Sequence, residues 1–220
     1  MRLRPLEPTS KTAVNILRLQ RQLGIQVLDA KSAIQLGLIV LGDGTPDDQV
    51  VALLASKLNG KAVAGIVKPK YTGVGTIQAL PQYTNFRRVA FIVDQEDKEL
   101  DKLYKEVESS LMQNGFSVDS KQIIHKRVIH IRSTRGPTSI QIYVSFNGTD
   151  NTSYRKNTIE NHFIPYINTL HNYTEAKDEW NTLREELRLE ILRKIYAEGD
   201  LSQVFPQQFL TLAKLEEAFQ

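Results

Sequence analysis

Short, continuously apolar runs recur along this chain, and two of the three empty into an acidic turn followed by a helical segment. Residues 38–41 (Leu-Ile-Val-Leu) lead into Gly42, Asp43 and Gly44, after which Pro46 and Asp47 open a segment bearing Val50, Val51, Leu53, Leu54 and Leu58. Residues 62–67 form the second run, followed by a polar loop with Gly73 and Gly75 and a short helical stretch over 76–80. The third, 87–93, ends in Asp94-Gln95-Glu96-Asp97, and its successor sets Leu100, Leu103, Val107 and Leu111 at three-and-four spacing before Asn114-Gly115. Apolar runs without alternation suit strands buried on both faces, the condition of a parallel sheet covered by crossover helices. Right-handed crossovers between such strands predict an α/β fold: a mostly parallel, Rossmann-like sheet flanked by helices.

The flanks read differently. Thr9 and Ser10 offer an N-cap to a helix carrying Ile16, Leu19 and Leu23 and closing at Gly24, and Asp29 can cap a second short helix through Gln35. Two short helices around a glycine also suit a helix-turn-helix, although such pairs are commonplace. Strand-like segments continue at 116–118, 123–131 and 139–146, the last alternating as Ile140, Ile142, Val144 and Phe146, so the sheet has room for an antiparallel member. After a polar loop over 147–157, residues 158–160 open a helix toward Ile167. From 174 onward Trp180, Leu183, Leu187, Ile191 and Ile195 repeat at helical spacing, Gly199-Asp200 ends the repeat, and Phe205-Pro206 begins a last helix with Phe209, Leu212, Leu215 and Phe219. The expected organisation is an N-terminal helical segment (1–35), an α/β domain (36–170) and a C-terminal helical segment (171–220). An apolar stripe most often packs on its own domain; the alternative is a partner arm or a homodimer formed through the helical extensions.

Composition excludes several chemistries. With no cysteine there is no disulfide framework, no thiolate nucleophile and no Cys-ligated metal, so any metal must sit on carboxylates, His or water. The 28 basic and 25 acidic residues leave +3, a weak pull toward anionic partners that matters only where cations are grouped. The apolar runs fall far short of the roughly 20 residues that span a bilayer, and no apolar core follows Arg2 and Arg4, so the expectation is a cytoplasmic protein with no membrane partner. Neither a Gly-x-x-x-x-Gly-Lys-Ser/Thr nor a Gly-x-Gly-x-x-Gly motif occurs. A phosphate receiver would need a matching Lys at a later strand end, which 129–135 does not supply.

In an open α/β sheet, ligands bind beyond the carboxyl ends of the strands. Two acidic groups fall there: Asp43 with Asp47 and Asp48, and Asp94 with Glu96 and Asp97. On neighbouring strands these tips converge, and a divalent cation keeps several close carboxylates ionised together. The competing reading is that Asp47 and Asp97 cap the helices that follow. Asp94 resists that reading, because it ends an apolar strand.

The run LIVLGDGTPDDQVVALLASKLNG resembles the opening strand, acidic turn and helix of the Toprim domain, with Asp43, Gly44 and Asp47 on its acid-Gly-x-x-Asp pattern and Asp43 in place of the usual Glu. VAFIVDQEDKELDKLYKEVESSLMQNGF resembles the Toprim strand that ends in Asp-x-Asp, with Asp94 matching and Glu96 in place of the second Asp. KPKYTGVGTI stands where the family has a basic, glycine-containing loop, and 139–146 with 157–161 is similar to the closing strand and acidic helix start of small stand-alone Toprim-like proteins. The resemblance implies Mg²⁺- or Mn²⁺-dependent cleavage or phosphoryl transfer on nucleic acid. In that scheme Asp43, Asp94, Glu96 and Asp97 hold metal, Asp43 serves alternatively as general base, Glu160 completes the catalytic set, and Lys68 and Lys70 contact phosphates. Arg132 and Arg135, in the basic stretch 126–135, either face nucleic acid or protect a sheet edge. His162 is a further candidate for a phosphate contact. The rival expectation is a non-catalytic module of the same descent that binds nucleic acid or a protein.

Overall fold

The computed structural model describes residues 1–29, 37–150, 153–168 and 171–217. The short helix expected through Gln35 lies outside them. Seven strands, β1 (Arg2–Pro5), β2 (Gly37–Leu41), β3 (Val63–Val67), β4 (Arg88–Asp94), β5 (Ser117–His125), β6 (Val128–Arg135) and β7 (Thr138–Asn147), form one sheet in the order β1-β3-β2-β4-β7-β6-β5. The pairings from β1 across to β7 are parallel; β5, β6 and β7 are joined antiparallel. The helices are α1 (Lys11–Leu23), α2 (Asp47–Leu58), α3 (Leu100–Gln113), α4 (Ala176–Thr182), α5 (Glu185–Glu198), α6 (Leu201–Val204) and α7 (Pro206–Glu217). This is the expected α/β class. Among the described residues no helix is long and apolar enough to cross a membrane.

Alternation along each strand sends side chains to two cores. On one face Ile39, Leu41, Ala64, Ile66, Ala90 and Ile92 pack with α1, α2 and the C-terminal helices through Ile16, Leu53, Leu192, Ile195 and Leu212. On the other, Leu38, Val40, Val89, Phe91, Ile142 and Val144 meet α3 through Leu103, Val107 and Leu111. A sheet covered on both sides needs strands apolar at every position, which is why 38–41 and 89–93 read as unbroken runs. The stripe Trp180, Leu183, Ile191 and Ile195 is buried in the first core, so it packs on this chain; Leu187 is 41% exposed and stands outside it.

Local structure departs from expectation in four places. Residues 2–5, assigned to a helical segment, form an edge strand paired with β3. The stretch 123–131 is two strands, because the chain reverses at Lys126-Arg127 and β5 pairs back on β6. The guanidinium of Arg127 holds that reversal, donating to Gln95 Oε1 (3.0 Å), Asp150 Oδ1 (2.5 Å) and the Thr149 carbonyl (2.9 Å). The helix expected from 174 breaks after Thr182, where Arg188 satisfies the freed carbonyls of Leu183 and Asn181 at 2.9 Å each and lies over the Trp180 ring. Residues 73–83 and 159–166 wind as short 3₁₀ segments, the first containing Pro81.

Phe163 ties the second of those segments to the C-terminal helices, stacked on Trp180 at 4.3 Å and edge-on to Phe205 at 5.7 Å, with no exposed surface. Phe163→Ala is expected to cost about 3–5 kcal/mol in denaturant unfolding; a loss below about 1 kcal/mol would show that this junction contributes little.

Candidate active site

The chain passes from β2 to β3 on one side and then crosses back to β4 on the other, so the sheet order reverses between β2 and β4. At such a reversal the following connections diverge to opposite faces and leave a crevice at the strand ends. Gly42 makes the close approach possible. Its N–H donates to the Ile92 carbonyl at 2.6 Å, and a Cβ there would lie 2.9 Å from the Val93 Cα. The next residue, Asp43, therefore emerges beside the end of β4, and the first turn of α2 delivers Asp47 and Asp48 behind it.

Asp94 ends β4 opposite Asn147, the last residue of β7. The Asn147 Nδ2 donates to Asp47 Oδ1 at 2.7 Å and to Asp94 Oδ1 at 2.8 Å, and the Ile159 N–H adds a bond to Asp94 Oδ1 at 3.2 Å. Beyond Asp94 the backbone of Glu96, at φ 58°, exchanges two hydrogen bonds with Asn157 (2.8 and 2.9 Å). That exchange draws the later loop across the strand end. A reciprocal cap between Thr158 and Asn161 then starts the short helix that carries Glu160. Asp47 is 1% exposed, Glu160 3% and Asp94 5%. Asp43, Asp94 and Glu96 line a cleft of about 480 Å³ whose opposite wall is the glycine loop with Gly73 and Gly75.

Burial dominates the electrostatics. It raises the carboxyl pKa values of Asp47 and Asp94 well above the ordinary range, and the charges of Asp43 and Glu160, with that of Asp94 acting on Asp47, push the same way against the Asn147 hydrogen bond. Glu160 is raised by burial, against its hydrogen bond with Thr158 and the field of Lys177, and its Oε2 is buried without a partner. Asp48 is raised to about 6 by burial, although Asn15 Nδ2 donates to it at 2.8 Å. Cations surround the cluster. Burial lowers Lys68 while Asp43 and Asp47 oppose it; for Lys177 on α4, burial is outweighed by Glu160, Asp94, Asp43 and Glu96, and its pKa is raised.

The structure thus brings Asp43, Asp94 and Glu160 to the same strand ends and sets Asp47 beside them, a member of the first acidic turn for which a helix cap was the competing reading. Pro46 takes the N-cap position of α2, and the Asp47 carboxylate turns instead to Asn147. Glu96 lines the cleft but pairs with Lys156 at 3.3 Å. Asp97 is exposed on the turn beyond, does not line the cleft and does not cap α3, whose N-cap is Glu99. Lys68 donates to the carbonyls of Pro69 and Tyr71, 2.8 Å each, whereas Lys70 lies over the Tyr71 ring in solvent.

Arg132 and Arg135 belong elsewhere. β6 runs antiparallel to β7, so Arg132 lies opposite Gln141 and Arg135 opposite Thr138, at the end of the sheet where β4 and β7 begin. Six residues of extended chain separate that level from Asp94, roughly 20 Å. Asn147, Lys177 and Gln208 were not found from sequence. The one available signal was a polar residue directly after the last of the alternating apolar positions of β7, Phe146. His162 is not at the acid cluster: its Nδ1 lies 2.6 Å from the Val204 carbonyl and its Nε2 3.1 Å from Gln207 Nε2.

Compared with known proteins, the chain has no significant match among protein-family models, curated proteins or solved structures.

Burial lowers His162 to about 4. Its folded value lies below the unfolded one, so its contribution is complete above about pH 6.5 and is lost as pH falls toward 4. Unfolding measured across that window should show the parent chain losing about 3 kcal/mol relative to His162→Asn, which stays neutral. Parallel stability curves for the two proteins would contradict a buried neutral imidazole.

Proposed function

We propose that this protein performs divalent-cation-dependent phosphoryl chemistry on nucleic acid, cleaving or transferring a phosphodiester at the cleft where β2 and β4 end. The observation that carries this reading is the meeting of Asp43, Asp47, Asp94 and Glu160 around one strand end, where Asp47, Asp94 and Glu160 are buried and the proton affinities of Asp47 and Asp94 are raised by burial and by the neighbouring charges. Such clustering is costly unless the acids have a shared task, and perturbed carboxylates in a cleft mark functional sites. The likeness of the two acidic turns to those of Toprim domains supports the same chemistry.

The donor set is all oxygen, which suits Mg²⁺ or Mn²⁺, and the unpartnered Glu160 Oε2 offers a further ligand atom. Among the described residues no three acid or imidazole groups are gathered tightly enough to hold a cation as they stand, because an amide lies between Asp47 and Asp94. Asp43, Asp47 and Asp94 would hold the ion, with Glu160 beside them. Bound there, it would supply charge neutralisation at a phosphate and a Lewis acid.

The chain's own groups do the rest. Gly73 and Gly75 present a wall that a sugar-phosphate backbone can approach. Lys68 and Lys177, in the field of the acids, offer cations to phosphate oxygens. Asp43 is half-buried, the least enclosed acid of the four, and where it does not hold the ion it serves instead as the base for an attacking water.

A second reading is favoured by one observation, that Asp47 and Asp94 are already satisfied by Asn147. It treats the cluster as structural and the protein as a binding module for nucleic acid or a protein. Asp94→Asn separates the two, since Asn retains an acceptor for Asn147 and Ile159. Calorimetry with Mg²⁺ and Mn²⁺ should show parental binding weakened at least about a hundredfold in the variant, with plasmid or single-strand cleavage lost and thermal stability undiminished. A folded parent that neither binds the ions nor cuts, yet binds nucleic acid in a salt-sensitive, Mg²⁺-indifferent way, would favour the module.

A further inference from the structure

Beside the acid cluster, and lined by none of its carboxylates, a groove of about 420 Å³ runs between α1 and the α4–α5 pair. One wall is Lys11, Asn15, Arg18 and Gln22, which at steps of four, three and four residues share one face of α1. The facing wall carries Asn181, Glu185 and Arg188. Three cations thus meet one carboxylate, in a chain whose total charge is only +3. That carboxylate is a weak counterweight, because the side chains of Glu185 and its partner Arg18 are both more than half exposed, where ion pairs contribute little. Arg188 is pinned by its bonds to the Leu183 and Asn181 carbonyls, which use two of its five N–H donors.

Two features join this groove to the acids. Thr45, on the loop between Asp43 and Asp47, lines it and accepts from Asn15 Nδ2 at 2.6 Å. On α4, Lys177 lies in the field of the acids, and Asn181, one turn further, lies in the groove. The cations are strung out along the walls: Lys11 and Arg18 are separated by about 10 Å of helix rise. A compact anion is held by cations that converge on it; a spaced series suits a polyanionic chain. A groove of this volume between helices takes the backbone of one strand, whereas a duplex, whose major groove alone is about 12 Å wide, is too broad for it. Carboxylates also repel the phosphates beside them, so the hold on such a chain must come from cations away from the reacting centre.

We propose that the groove between α1 and α4–α5 binds single-stranded nucleic acid, with Lys11, Arg18 and Arg188 on successive stretches of the backbone of the strand whose reacting phosphodiester lies at the acids. The proposal rests on the nucleic-acid reading above and narrows its substrate to a strand that is unpaired where it leaves the cleft.

The test measures anisotropy of a labelled oligothymidylate of about 12 nucleotides, and of a duplex of the same length, in EDTA over a range of salt. Lys11 and Arg18 are exposed, so Lys11→Gln/Arg18→Gln is expected to melt like the parent; Arg188, which braces the chain break after α4, is left in place. The double variant should bind the single strand about tenfold more weakly, with the slope of log affinity against log salt shallower by about 1.4, the release of two phosphates' counterions. Glu185→Gln should move affinity the other way, up about two- to fivefold, the scale of one exposed charge. Calorimetric Mg²⁺ affinity should stay at the parental value in both. A double variant that binds the strand as the parent does, with the same slope, overturns the groove and spares the nucleic-acid reading. So does a parent that prefers the duplex, or one from which polyglutamate displaces the strand at equal charge, which would make the groove a site for acidic protein. A parent that binds no nucleic acid overturns both. Loss of strand binding in the double variant of a chain that takes up no Mg²⁺ upholds the groove and removes the cation chemistry.

Discussion

A shared amide proton donor holds the carboxyl ends of the parallel strands of this molecule together. Asp47 and Asp94 arrive from different strand–helix units, and their charges oppose close approach in a setting from which water is largely excluded. The Asn147 carboxamide bonds to both at once. Remove that group from consideration and nothing in α2, β4 or β7 alone explains why two carboxylates should be buried side by side. With it, the ends of β4 and β7 and the start of α2 become one unit.

The elements that complete this unit come from far along the chain. Gln208 of α7 orients Asn147, and its neighbour Gln207 donates to the Gly148 carbonyl at 2.6 Å, so the C-terminal helix is bonded to the turn that follows β7. The short helix with Glu160 is held from one side by the Glu96–Asn157 backbone exchange and from the other by Phe163 against Trp180 and Phe205. The C-terminal helices thus form a wall of the first core and a support for the site. Their apolar stripe is consumed in that role.

Sheet polarity sorts the charged groups. Acids cluster where the parallel strands end, and Lys68 and Lys177 lie in their field. Arg132 and Arg135 face the other end, Arg135 over the Phe116 ring beside the β5–β6 edge. Both belong to β6, which is paired with β7 on one side and with the outer strand β5 on the other. Toward the acid-cluster end the basic stretch supplies Arg127, folded inward to brace the hairpin turn.

What could be read along the chain is what depends on near neighbours. The strands over 38–41, 62–67 and 87–93, the helices after the first and third, and the α/β class follow from hydrophobic runs, three-and-four spacing and turn chemistry. Asp43 and Asp94 were legible as candidate acids because the end of a buried strand is where the backbone leaves the core. The direction of a strand and its place in the sheet are not written in its hydropathy, so Arg132 and Arg135 could be put on a strand but neither at an end nor on β6 between β7 and β5. Nor could Asn147 and Gln208 be paired, because 61 positions separate them and only packing of α7 against β7 brings them together. Periodicity identifies which face of an element is buried; what a buried polar group touches there is settled by tertiary contact, since an unpaired amide or carboxylate inside the protein must take its partner from whatever element packs against it.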